Sequence, residues 1–164
     1  MTGGGSSIPE VHALLATLAA SKPGGRFAET GTAFGKGARA IAEAMDKDST
    51  LVTVEIDPDR YAQAVEHLEG SRAEVIQGHW RDVLPPRAPF DLLFADGGLR
   101  NTEDGFELSI SLLAPGGFLV KDDMSPGRAI EGDEIREWLF RDPRLIATEI
   151  LTTPTTAAII AVRR

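Results

Sequence analysis

Residues 25–37, GRFAETGTAFGKG, decide the fold that we expect for this chain. Within them, residues 27–30 form a short, mostly apolar run bounded by glycines, which is typical of a buried strand. Gly31, Gly35 and Gly37 follow, and residues 38–45 are rich in good helix formers. The glycines therefore mark a strand-to-helix turn. Since glycine lets a backbone approach closely, we expect free N–H groups at the helix start to face a ligand there.

The glycine spacing leaves more than one interpretation open. G-x-x-x-G-x-G differs from the dinucleotide fingerprint G-x-G-x-x-G but matches the turn of short-chain dehydrogenases. Those enzymes also use a Tyr-x-x-x-Lys pair, whereas the single tyrosine, Tyr61, is followed four residues later by Val65. Glu29, two residues before the first glycine, would repel a phosphate and favours a ligand with a positive group. The plainer alternative is a turn that only packs a helix on a sheet.

The composition describes an ordinary globular chain. Its 164 residues are 42% hydrophobic and 26% charged, which suffices for one domain with a sizeable core, and they include no cysteine for disulfides or thiolate chemistry. The net charge of −8 disfavours a nucleic acid as partner, and no apolar run reaches membrane-spanning length. We expect one domain over residues 1–164 with a loose tail at 1–6. The start lacks signal-peptide features, so a cytoplasmic location is expected.

Apolar runs alternate with helical patterns along the rest of the chain. The predicted strands cover residues 27–30, 50–56, 73–77, 90–96, 118–121, 145–151 and 157–162. The predicted helices cover 7–20, 38–45, 57–68 and 102–113, and a further helix lies within 130–140. Residues 114–117 are expected to form a turn. The alternation predicts an α/β fold with a doubly wound, mostly parallel seven-stranded sheet, in which a closing hairpin makes one C-terminal strand antiparallel.

Ligands of such sheets bind at the carboxyl ends of the strands, and several polar residues lie there. Glu55 ends the second strand about twenty residues after the glycine turn, where parallel nucleotide-binding folds hold ribose hydroxyls. A solvated acid is the alternative. Trp80, after the third strand, could cover an adenine ring or pack in the core, and His79 could act as a general base or lie at the surface. Asp96 and Asp122 follow the fourth and fifth strands.

Four segments together resemble the catechol O-methyltransferase-like small-molecule O-methyltransferases, within the class I S-adenosylmethionine-dependent methyltransferases. They are FAETGTAFGKGA at 27–38, LVTVEIDPDRYAQA at 51–64, PFDLLFADGG at 89–98 and LLAPGGFLVKDD at 112–123. The resemblance implies S-adenosylmethionine as cofactor, with the carboxylate of Glu29 accepting from its positive amino group. It further implies cofactor contacts from Glu29, Thr30, Gly31, Phe34, Gly35, Gly37, Glu55, Ile56, His79, Trp80 and Asp96.

Members of this family that use a divalent cation hold it with an Asp after the fourth strand and an Asp-Asn pair after the fifth. The matching positions are Asp96, Asp122 and Asp123, so the resemblance implies a Mg²⁺ site that would lower the pKa of a substrate hydroxyl. Both acids after the fifth strand can face one point only if the chain turns there, for which residues 124–127 are suited. The alternative is that the acids are loop residues or cofactor contacts without a metal.

The sequence therefore predicts a methyltransferase that modifies an oxygen of a small molecule, with Asp96, Asp122 and His79 as catalytic residues. Relatives carry a Lys or His where this chain has Leu99, beside Arg100, so the identity of the base is left open. Two other functions also stay open: a cofactor-binding protein without transfer activity, and an NAD(P)-dependent short-chain-type oxidoreductase. No nucleic acid or membrane partner is expected, and a homodimer is left open.

Overall fold

The structure is a computed structural model that describes residues 7–97 and 103–164, so the predicted tail at 1–6 lies outside it. The helices are α1 Pro9–Ala20, α2 Lys36–Ala44, α3 Pro58–His67, α4 Trp80–Val83, α5 Glu103–Ser111 and α6 Glu134–Arg141. The strands are β1 Arg26–Thr30, β2 Thr50–Glu55, β3 Ala73–Gln77, β4 Phe90–Ala95, β5 Leu113–Met124, β6 Leu145–Leu151 and β7 Ala157–Arg163. None of the described helices is both long enough and apolar enough to cross a membrane.

In the described part of the chain, seven strands form one sheet in the order β3-β2-β1-β4-β5-β7-β6. Strands β1 to β5 pair in parallel, whereas β7 runs antiparallel between β5 and β6. The predicted doubly wound sheet with its antiparallel hairpin is thus confirmed. The winding direction reverses between β1 and β4, which is where such sheets open a crevice at the carboxyl ends of their strands.

Both faces of the sheet are covered, as parallel strands require. Leu15 of α1 and Ile41 of α2 pack with Phe94 on one face, while Ile110 of α5 and Leu139 of α6 pack in the core on the other. Neighbouring residues of β4 alternate between the two cores because strand side chains alternate in direction. The crevice therefore lies above a firmly packed base.

Some predicted boundaries differ from the observed ones. Residues 114–117, expected to form a turn, belong to β5, whose pairing with β4 shifts register beside them and accommodates Gly116 at φ +75°. The helix predicted within 130–140 begins at Glu134, because the carboxylate of Asp133 caps it by accepting the N–H of Arg136 at 3.1 Å. Residue 102, the predicted start of α5, lies outside the described residues.

Candidate active site

The carboxyl ends of β1 and β4 are joined through the backbone of Gly97. The Gly97 N–H donates to the carbonyl of Thr30 at 2.6 Å, and the Thr30 hydroxyl donates to the carbonyl of Gly97. Gly31, at φ +80°, lies so close that a Cβ on it would be 2.9 Å from the Gly97 Cα. Gly31 is therefore required by the neighbouring strand, in a left-handed conformation that also favours glycine.

The other two glycines of the turn also make room for protein groups. Gly35, at φ +78°, precedes α2, and a Cβ on it would lie 3.1 Å from the Leu68 side chain. A Cβ on Gly37 would collide with the carboxylate of Glu29. Close approach of a ligand is the predicted reason for these glycines, whereas the structure shows neighbouring protein atoms in each of these directions. Phe34, directly before Gly35, is 38% exposed at the surface of the turn.

Glu29 lies beneath the glycine turn in a buried chain of hydrogen bonds. The Thr53 hydroxyl donates to Glu29 Oε2 at 2.5 Å, and the Thr53 and Thr32 hydroxyls are 2.6 Å apart. All three residues are buried, with Glu29 only 1% exposed. Burial raises the pKa of Glu29 to about 8; the bond from Thr53 opposes the rise, and other carboxylates of the crevice add to it. A positive group of a ligand would stabilise the ionised form of Glu29, so the positive amino group that is predicted to bind there suits this site.

Glu55 binds the backbone on both sides of the end of β2. Its Oε2 accepts the N–H of Ala33 in the glycine turn at 2.9 Å, and its Oε1 accepts the N–H of Asp57 at 3.0 Å. The side chain is buried, which excludes the solvated-acid alternative. Each carboxylate oxygen retains a second lone pair for a ribose hydroxyl, the predicted ligand. The adjacent Ile56 is 63% exposed and offers an apolar surface beside it.

His79 caps the short helix α4, which begins at Trp80. His79 Nδ1 accepts the N–H of Arg81 at 3.2 Å, so this ring nitrogen already holds a backbone hydrogen. Trp80 packs in the core, which is one of the two positions predicted for it. Its buried indole N–H has no hydrogen-bond partner among the described residues. Neither the basic role of His79 nor an adenine contact of Trp80 is tested by this geometry, and both stay predictions.

Asp96, Asp122 and Asp123 come together at the ends of β4 and β5, as expected. One carboxylate oxygen from each lies within 4.8 Å of the others. The predicted turn at 124–127 is not what brings them together. The pairing of β5 with β7 shifts register between Lys121 and Met124, and Asp123 has φ +58°, so a β-bulge within the strand redirects the acids. We call these three residues the acid cluster.

The acid cluster contains an unsatisfied buried oxygen. Asp122 is 1% exposed, and its Oδ1 has no hydrogen-bond partner in the described structure. Burial raises the pKa of Asp96 to about 7, with the charge of Asp122 adding to the rise, and burial also raises the pKa of Asp122. Carboxylate oxygens are the ligands that Mg²⁺ prefers, and an ion would compensate this buried charge. The donor set therefore fits a divalent cation.

Lys121 is a charged residue of the site that the sequence analysis placed only in a strand. Its Nζ donates to the carbonyl oxygen of Asp122 at 2.8 Å and lies 3.9 Å from Asp122 Oδ1. The one signal that could have revealed it is a lysine that ends an apolar strand directly before two acids. Leu99 and Arg100, where the sequence leaves the identity of the base open, lie outside the described residues.

The sheet order and the strand-end crevice define a class I S-adenosylmethionine-dependent methyltransferase fold. Residues 28–124 match the methyltransferase domain family, and the chain belongs to that family. This membership favours the methyltransferase interpretation over the dehydrogenase one. Tyr61 and Val65, which stand where the dehydrogenases have the two ends of their Tyr-x-x-x-Lys pair, line a groove beside α3 and β3.

Curated relatives include several O-methyltransferases. A Mycobacteroides abscessus protein assigned to the O-methyltransferases is 31% identical in an alignment of 132 residues that covers 76% of this chain and 61% of the relative. The protein-L-isoaspartate O-methyltransferase of Pyrobaculum neutrophilum is 30% identical over 82% of this chain and 70% of its own length. The catechol O-methyltransferase of Niastella koreensis is 29% identical over 68% of this chain and 53% of its own length. The chain thus spans 53% to 70% of the length of these three relatives.

Solved structures share the fold. The O-methyltransferase from Bacillus cereus, in complex with S-adenosylhomocysteine, superposes with a TM-score of 0.79 at 22% identity, covering 98% of this chain and 84% of the other. The O-methyltransferase TomG from Streptomyces achromogenes, in complex with S-adenosylmethionine, superposes with a TM-score of 0.75 at 24% identity. The superposition covers 97% of this chain and 81% of TomG.

Proposed function

We propose that this chain transfers a methyl group from S-adenosylmethionine to an oxygen of a small molecule. The observation that carries the proposal is the acidic lining of the crevice, in which Asp96, Asp122 and Glu55 add to the burial that raises the pKa of Glu29. A cofactor with a positive sulfur and a positive amino group suits such a site, whereas the pyrophosphate of a dinucleotide would be repelled. Membership in the methyltransferase domain family supports the same conclusion.

The cofactor would lie along the carboxyl ends of β1 and β2. Glu29 would compensate its amino group, Glu55 would accept from its ribose hydroxyls, and Ile56 would pack against its base. The remaining contacts that we propose come from Thr30, Gly31, Phe34, Gly35, Gly37, His79, Trp80 and Asp96. When bound, S-adenosylmethionine supplies a methyl group already activated by a positive sulfur. The chain then has to hold the acceptor oxygen in line and exclude water.

The acid cluster would hold a divalent cation, with Mg²⁺ as the preferred ion. The buried and unpaired Oδ1 of Asp122 supports this assignment, because a carboxylate oxygen without a partner is costly in a protein interior. When bound, the ion would lower the pKa of an acceptor hydroxyl. Asp96 and Asp122 are in this sense the proposed catalytic residues, and Asp123 completes the ligand set.

The proposed cation favours a hydroxyl acceptor over a carboxyl one. Relatives of this chain include enzymes named for both classes, catechol and protein L-isoaspartate. The cation would help two neighbouring hydroxyls by lowering the pKa of one of them, whereas a carboxyl acceptor is already ionised at neutral pH and needs no such help. We therefore propose a small molecule with neighbouring hydroxyl groups as the substrate.

Titration calorimetry with S-adenosylhomocysteine and with NAD⁺ tests the cofactor. We expect binding of the former alone, and binding of NAD⁺ alone would contradict the proposal. Turnover of labelled S-adenosylmethionine against catechols, phenols and carboxylic acids then tests the transfer. Product with a catechol supports the proposed substrate, whereas cofactor binding without any product would favour a binding protein that performs no transfer.

A further inference from the structure

Lys121 places a positive charge inside the acid cluster. Its ammonium donates to the Asp122 carbonyl at 2.8 Å and lies 3.9 Å from Asp122 Oδ1, the oxygen that has no hydrogen-bond partner. The side chain is largely buried, with 14% of it exposed. Lys121 also pairs with buried Ile159 of β7, so its backbone is fixed in the sheet interior. The charge is therefore held at the cluster by the strand itself.

The formal charges of the acid cluster and Lys121 indicate how the ammonium affects the binding of a cation. The carboxylates of Asp96, Asp122 and Asp123 contribute three negative charges when all are ionised, and Lys121 offsets one of them. A divalent cation entering the cluster is attracted by the acids and repelled by the ammonium a few ångströms away. In a partly buried site this repulsion is weakly screened, so removal of the lysine charge should change affinity by on the order of tenfold or more.

We propose that Lys121 is a built-in counter-cation of the acid cluster and limits the affinity of the cluster for a divalent cation. The inference rests on the metal site of the proposed function. It predicts that affinity follows the formal charge of four side chains. The wild-type sum is −2, Lys121→Met makes it −3, Asp123→Asn makes it −1, and the double variant returns it to −2.

The test measures Mn²⁺ binding to the full chain by electron paramagnetic resonance of the free ion, with no cofactor or substrate present. We expect Lys121→Met to bind Mn²⁺ at least tenfold more tightly than wild type, Asp123→Asn to bind more weakly, and the double variant to approach wild type. Lys22→Met is the matched control, because Lys22 Nζ also donates to a backbone carbonyl at 2.8 Å, that of Gly116. The control should bind as wild type does.

The inference is overturned if Lys121→Met binds Mn²⁺ no more tightly than wild type, if Lys22→Met tightens binding equally, or if no variant binds the ion. Circular dichroism checks that each variant is folded. If Lys121→Met is unfolded, the Mn²⁺ affinity of Lys121→Gln, which keeps a neutral donor for the Asp122 carbonyl, is compared with that of wild type instead. Calorimetry with S-adenosylhomocysteine on the same samples separates the two proposals. A chain that binds this ligand while no variant binds Mn²⁺ retains the methyltransferase proposal and loses this one.

Discussion

The hydroxyl of Thr53 donates to the carboxylate of Glu29 at 2.5 Å and lies 2.6 Å from the hydroxyl of Thr32. One side chain of β2 thereby connects the end of β1 with the glycine turn. Because all three groups are buried, none can exchange this network for water. The shape of the proposed cofactor site thus depends on a residue that need not touch the cofactor.

Thr53→Val keeps the shape of the side chain and removes this hydrogen bond. We expect the free energy of unfolding to fall by about 1–3 kcal/mol, since two buried polar groups lose a partner, and the affinity for S-adenosylhomocysteine to fall with it. Urea unfolding and calorimetry measure the two effects. Thr53→Ser retains the hydroxyl and should recover most of both. Equal behaviour of the Val and Ser variants would show that the hydroxyl is irrelevant.

Glu55→Ala should weaken binding of S-adenosylhomocysteine by about 1.5–3 kcal/mol, because the charged acceptor for the ribose is lost. Calorimetry would register this as roughly a tenfold to hundredfold rise in Kd. The variant also removes the acceptor for the Ala33 N–H, so the glycine turn that contains Ala33 should become more mobile. Glu43→Ala, at an exposed position of α2, serves as control. An unchanged Kd for Glu55→Ala would leave Glu55 with a structural role only.

Glu29 should make the free protein less stable as the pH rises. Burial raises the pKa of Glu29 to about 8 from its ordinary value of 4.5, so between these values the folded chain holds a proton that the unfolded chain releases. Stability from this group is fully present below pH 4.5 and declines towards pH 8. We expect Glu29→Gln to flatten the fall in Tm over this range, measured with chelator and without cofactor. Parallel profiles for the two proteins would contradict the assignment.

Asp122→Ala should abolish any effect of Mg²⁺ on methyl transfer, because it removes the central acid of the cluster. Rates measured with added Mg²⁺ and with excess chelator, on wild type and variant, provide the comparison. Asp48→Asn, at an exposed acid, should respond to Mg²⁺ as wild type does. If wild type is equally active under both conditions, the acid cluster is not a functional metal site, and alignment of the substrates would have to account for the rate.

Local patterns carried most of the fold prediction, because the strands have apolar runs of their own and most boundaries contain a glycine or a proline. The meeting of Asp96 with Asp122 followed from this, since neighbouring parallel strands end at one edge of a sheet. The β-bulge at Asp123 did not, because it depends on how β5 pairs with β7, which lies more than thirty residues further along the chain. Lys121 was missed for the same reason: its contact with Asp122 exists only once the strand bends.

The contact between Gly31 and Gly97 has a consequence for how this chain can vary. A methyl group at either position would wedge β1 away from β4 at the very point where the sheet reverses its winding. Because each added methyl group would meet the backbone of the other residue, neither position should tolerate substitution, alone or together with the other. In a library of random variants both should remain glycine even when selection is for folding alone. Glycines retained at these two positions would then reflect the contact between β1 and β4, and not the small molecule that the chain binds.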